Sequence, residues 1–221
     1  MNLLIFIFSY FHIFSSHSMD QPSFTYLALG DSYTIGESVM LHESFPYQTA
    51  QMLRDKGKNF HAPEIIAKTG WTTDELQAAI NKYRFQPKYD FVTLLIGVNN
   101  QYRGKSADEY SKEFESLLKQ AMAFAGNNTN HVIVLSIPDW GVTPFASGRD
   151  NKRIATEIDE FNTINEKISK QYKVQYLNIT TGTREAAKDE SLLASDKLHP
   201  SAKEYKRWST RLTEAILNQL K

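Results

Sequence analysis

Two periods of apolar and polar residues alternate along this chain. Short runs rich in aliphatic and aromatic residues occupy 24–29, 64–67, 91–96, 132–137 and 174–179, and read as buried strands. Between them, apolar residues at three- and four-residue spacing predict helices over 47–56, 73–83, 107–125 and 154–172, with a last helix over about 201–220. Strands that alternate with helices pack as a parallel sheet covered on both faces. No internal repeat or low-complexity linker interrupts the series, so 20–221 is expected to be one domain. In open sheets of this class, ligands bind beyond the carboxyl ends of the strands. The loops that leave those ends are where chemistry is expected.

The first such loop holds Gly30-Asp31-Ser32-Tyr33-Thr34-Ile35-Gly36-Glu37. A serine where a strand breaks into a glycine-flanked loop can point its hydroxyl into a cleft, as a nucleophile must. Far downstream, Asp196-Lys197-Leu198-His199-Pro200 places a carboxylate and an imidazole three residues apart. Together they supply a nucleophile, a base to take its proton and an acid to fix the base's tautomer. Each piece also has an ordinary reading: Gly-Asp-Ser is a common turn, and Asp-x-x-His-Pro can open a helix. The second and third strands lead into Gly70 and into Gly97-Val98-Asn99-Asn100. A glycine N–H and an asparagine amide are donors that an oxyanion needs, though turn and capping roles explain them equally well.

Composition narrows the chemistry. The chain has 221 residues and no cysteine, so thiol catalysis and disulfides are excluded. Lys+Arg and Asp+Glu number 25 each, which leaves no basic surplus for a nucleic-acid partner. Thr34 stands where a Gly-x-Ser-x-Gly elbow would have its second glycine, and Ile35 where a Ser-x-x-Lys pair would have its lysine. No metalloprotease, dinucleotide or P-loop motif occurs, and His12, His17, His42, His61 and His131 show no metal-ligand spacing. No metal or cofactor is therefore expected. The loop 137–145 leaves a strand end on the same rim, and its Trp140 and Phe145, with Tyr33, Trp71 and Tyr102, are candidate pocket walls, loop packing being the alternative for each. Arg103 could meet an anionic substrate group or pair on the surface.

Four blocks in order, Gly30-Asp31-Ser32-Tyr33-Thr34, Gly70, Gly97-Val98-Asn99-Asn100 and Asp196 to Pro200, resemble those of the SGNH or GDSL hydrolases. The resemblance covers nearly all of the chain after Gln21. It implies a three-layer α/β/α sandwich with a flavodoxin-like, five-stranded parallel sheet. It also implies a catalytic triad of Ser32, His199 and Asp196, an oxyanion hole from Ser32, Gly70 and Asn99, and a small-molecule ester as substrate, for instance an acetyl ester of a carbohydrate. Lysophospholipid or thioester hydrolysis is the alternative within the family, and a non-catalytic acyl- or sugar-binding module the alternative outside it. Asn100 stands where the family usually has Asp, and the chemistry is expected to survive that change.

The apolar run 3–14 is shorter than the roughly 20 residues that span a bilayer, so no stable membrane span is expected. It fits the core of an export leader, although no Lys or Arg precedes it. Residues 1–19 are read as a leader of a secreted or periplasmic protein. If translation instead begins at Met19, the protein is expected in the cytoplasm.

Overall fold

The structure is a computed structural model that describes residues 22–221, so the expected leader lies outside the described residues. The first long strand, β1 (Tyr26–Asp31), is buried at all positions. Its continuous apolar run is the signature of a strand covered on both faces. It pairs in parallel with β2 (Glu64–Lys68) on one side and β3 (Phe91–Leu95) on the other. β4 (Val132–Leu135) and β5 (Gln175–Leu177) continue the sheet, giving the order β2-β1-β3-β4-β5, parallel throughout. This is the flavodoxin-like order, with its switch point between β1 and β3.

Among the described residues, eight α-helices connect and flank the strands: α1 (Ser32–Ile35), α2 (Phe45–Asp55), α3 (Thr73–Ile80), α4 (Val98–Tyr102), α5 (Ala107–Phe124), α6 (Asn151–Gln171), α7 (Thr180–Thr183) and α8 (Ala202–Gln219). α2 packs on α8, with Phe45 against Tyr205 and Trp208. α5 packs on α3 and α6, with the Tyr110 and Phe161 rings stacked 4.5 Å apart. The two helical groups close the sheet into the expected three-layer α/β/α sandwich. Among the described residues no helix is long and apolar enough to cross a membrane.

Element ends differ from the pattern-based ranges for identifiable reasons. The first strand was expected over 24–29, but Phe24 belongs to a separate short parallel pair, Ser23–Phe24 with Asn59–Phe60. Thr25 breaks the ladder because its N–H and hydroxyl both donate to the Asp90 carboxylate, at 2.7 and 2.8 Å. At the other end, Gly30 and Asp31 keep pairing with Ala67 and Lys68, which carries β1 to the residue before Ser32. α6 starts three residues ahead of its apolar period because Asp150 caps it, accepting from the Arg153 N–H at 3.0 Å.

Candidate active site

Ser32, Gly70 and Asn99 follow the carboxyl ends of β1, β2 and β3, and all three line one cavity of about 180 Å³ with His199. The turn from β1 into α1 is set by its neighbours. Asp31 caps α1 by accepting the Tyr33 N–H at 3.0 Å. Gly30 has to be glycine, since a Cβ there would lie 2.1 Å from Thr34 Oγ1 and 2.4 Å from the Leu95 carbonyl. Thr34 therefore packs over bare backbone, and Ser32 is left at the cavity wall, 4% exposed. Burial pushes the Asp31 carboxyl up to about 7, against the opposing backbone hydrogen bonds.

The acid–base pair comes from the turn before α8. His199 Nδ1 lies 2.6 Å from Asp196 Oδ2. Asp196 Oδ1 accepts the Leu198 and His199 backbone N–H groups, each at 3.0 Å. Burial acts to raise the Asp196 carboxyl, but these bonds and one from the Ser38 hydroxyl outweigh it and hold the group at about 2. The His199 ring packs against Tyr33, with centroids 5.0 Å apart. Asp196 is thus an ionised acceptor that commits Nδ1 of the imidazole and leaves Nε2 for proton transfer.

Gly70 sits at φ +83, a left-handed conformation that favours glycine. Its loop is gripped from α4. Arg103 Nη2 donates to the Gly70 carbonyl at 2.6 Å, and Asn99 Nδ2 donates to the Trp71 carbonyl at 3.0 Å. Asn99 in α4 and Arg103, the residue that caps its C-terminus, are one turn apart and hold two successive carbonyls. Of the two roles open to Arg103, the structure shows a pairing one: it also meets Glu75 at 3.2 Å. Asn100, by contrast, is fully buried and faces away from the cavity chemistry: its amide donates to Thr73 Oγ1 at 2.5 Å and its carbonyl accepts the Thr73 N–H at 3.1 Å.

Of the candidate wall residues, Tyr33, Tyr102, Trp140 and Phe145 line the cavity. Trp71 does not; its ring packs against the core and its carbonyl accepts from Asn99 Nδ2. Sequence reasoning missed Gln101, which fixes Trp140 by accepting its indole N–H at 2.7 Å. It also missed Arg149, whose guanidinium lies 5.1 Å from the Tyr102 ring centroid and 5.3 Å from that of Trp140. Ser38, which donates to Asp196 Oδ2 at 2.7 Å, was missed as well. Their order along the chain carries no signal for these contacts. Among the described residues, no group of three His, Asp or Glu side chains could hold a metal ion.

The family model described as GDSL-like Lipase/Acylhydrolase matches residues 28–207. Among solved structures, a lipase/acylhydrolase from Enterococcus faecalis superposes with TM-score 0.70 at 18% identity, covering 88% of this chain and 96% of that one. Axe2, an acetylxylan esterase from Geobacillus stearothermophilus, superposes with TM-score 0.66 at 18% identity, covering 88% and 93%. The esterase EstA from Pseudoalteromonas sp. gives TM-score 0.64 at 18% identity, covering 89% and 98%. No curated protein matches the chain by sequence.

Proposed function

The chain belongs to the GDSL-like lipase/acylhydrolase family and is a carboxylic ester hydrolase, and on that premise we propose that Ser32, His199 and Asp196 are its catalytic triad. Ser32 Oγ attacks the ester carbonyl carbon while His199 Nε2 takes the serine proton. His199 then returns that proton to the departing alcohol, and an acyl group remains on Ser32. Water, deprotonated by the same imidazole, attacks the acyl-enzyme; the imidazolium then gives that proton to Ser32 Oγ as the bond to the acyl carbon breaks and the acid leaves. Asp196 stabilises the imidazolium formed in each half-reaction. The oxyanion is met by the Ser32 N–H, the Gly70 N–H and the Asn99 amide, of which one typically contributes a hundred- to a thousandfold in rate. The observation that carries this reading is the 2.6 Å contact between Asp196 Oδ2 and His199 Nδ1, with His199 and Ser32 lining one cavity.

The substrate proposed is a small acyl or acetyl ester. A cavity of about 150 Å³ accommodates benzene, so one of about 180 Å³ suits an acyl group of up to about six carbons. Its Val98, Leu198 and aromatic walls suit an apolar acyl group. The similarity to an acetylxylan esterase supports an acetylated carbohydrate as one such substrate. A series of p-nitrophenyl esters tests this: kcat/KM is expected to peak at or below about six acyl carbons. A rate that keeps rising to long chains would overturn the size argument. Ser32→Ala is expected to abolish labelling by a fluorophosphonate with the melting temperature unchanged, and full labelling of that variant would refute the triad.

A further inference from the structure

We propose that Ser38 is a positioning residue that ties the catalytic acid Asp196 to the loop carrying the nucleophile. The inference rests on the triad reading above. Asp196 accepts four hydrogen bonds: His199 Nδ1 and Ser38 Oγ on Oδ2, at 2.6 and 2.7 Å, and the Leu198 and His199 N–H groups on Oδ1, at 3.0 Å each. Three of these donors belong to residues 198 and 199, which move with Asp196 as one turn. They shape the carboxylate within that turn but do not fix it relative to Ser32. Among the described residues Ser38 is the one donor from elsewhere in the chain, and it follows Ser32 by six residues.

The backbone supplies a second, independent observation. Ser38 is exposed and has φ +63, a left-handed conformation that serine disfavours and that Gly or Asn would occupy with less strain. Its hydroxyl makes no other side-chain hydrogen bond among the described residues. Strain kept at a residue whose polar contact is with the reacting acid fits a position selected for aim. The adjacent Glu37 carboxylate accepts the Thr69 hydroxyl, next to Gly70. The two residues after Gly36 thus reach toward both the acid and the oxyanion loop.

Other titratable groups around the pair are Tyr33 against the imidazole, Glu37 on the same loop, and the deeper Asp31 and Tyr205. Lys197 pairs with Glu190 at 2.9 Å. All are unchanged in variants at position 38, so those variants isolate the hydroxyl. Without it, Asp196 Oδ2 interacts with His199 alone and the turn is free to drift from Ser32.

The test compares Ser38→Ala and Ser38→Gly. Both are expected to lower kcat by about three- to tenfold, the rate equivalent of one hydrogen bond, with KM little changed. The acid limb of the kcat/KM profile should move to higher pH by about half a unit, because an Asp196 relieved of Ser38 favours the protonated imidazole. Ser38→Gly should melt above Ser38→Ala, since glycine accepts the left-handed backbone, yet share its kinetic loss. Wild-type kcat and pH profile in Ser38→Gly would overturn the proposal while Ser32→Ala remained inactive. Hydrolysis that survived Ser32→Ala would instead remove the triad reading, and this inference with it.

Discussion

Asp31 is the sharpest place to test, by substitution, the electrostatics of the turn that carries the proposed nucleophile. Its side chain is fully buried, Oδ1 accepts the Tyr33 N–H, and Oδ2 has no hydrogen-bond partner among the described residues. Burial raises the carboxyl from 3.8 to about 7. A carboxyl that ionises at lower pH in the unfolded chain than in the fold destabilises the fold as pH rises between those two values. At about 1.4 kcal/mol per pH unit, the gap amounts to about 4 kcal/mol above pH 7, and to nothing below the ordinary carboxyl range. Asn in its place keeps the acceptor for Tyr33 N–H and carries no charge. Asp31→Asn is therefore expected to match the wild type near pH 4 and to exceed it by up to about 4 kcal/mol near pH 9. For a domain of this size that is a melting temperature higher by about 8–16 °C. Thermal denaturation followed by circular dichroism at the two pH values measures it. A variant that gains nothing at pH 9, or gains equally at pH 4, would show that Asp31 is ionised at little cost in the fold, and the reasoning from burial would fail.

Asn99→Ala is expected to lower kcat by about a hundred- to a thousandfold with KM nearly unchanged, as loss of a transition-state donor does. Asn100→Asp should leave kcat within about threefold but lower stability by about 1–3 kcal/mol, because the new carboxylate loses the bond donated to Thr73 Oγ1 while buried; comparable kinetic damage from both would mean that Asn99 is not the donor. Arg103→Met removes an exposed ion pair worth less than about 1 kcal/mol, so the melting temperature should barely move. Its kcat should fall by about tenfold if the grip on the Gly70 carbonyl aims the Gly70 N–H, and an unchanged kcat would assign Arg103 to the surface alone.

The fold was legible because its signals are local and repeated. A buried parallel strand is a short apolar run, and β1, β3 and β4 are buried throughout, while β5 is a half-buried Gln-Tyr-Leu at the sheet edge; alternation of such runs with helical periods points to the sheet and its layers. Boundaries were less legible, because they are set by tertiary partners: Thr25 leaves the ladder for Asp90, sixty-five residues away. The same division runs through the site. Ser32, Gly70, Asn99 and His199 could be picked out because strand ends and short motifs mark them, and the structure gathers them around one cavity. Of the two roles open to Trp71, packing is the one seen, because a ring at a strand end need not face the rim; here the core takes the ring and Asn99 takes the carbonyl.

What the sequence does not mark is which side chain aims which. Ser38 reaches Asp196 across 158 positions of sequence and Arg103 reaches Gly70 across 33. Gln101 holds Trp140 across 39. None sits in a motif, and each is an ordinary polar residue on a loop or short helix. Their identities are constrained only by where two loops happen to meet, which depends on loop path and helix register. A triad can therefore be read from residue types, whereas the quality of its alignment cannot. That alignment is worth as much as the donors themselves, because effective molarity falls steeply when a reacting group drifts by an ångström. Relatives that share the four blocks yet differ at positions equivalent to Ser38 or Arg103 should then differ in rate more than in fold, and the exchange of those two residues alone should carry part of the difference.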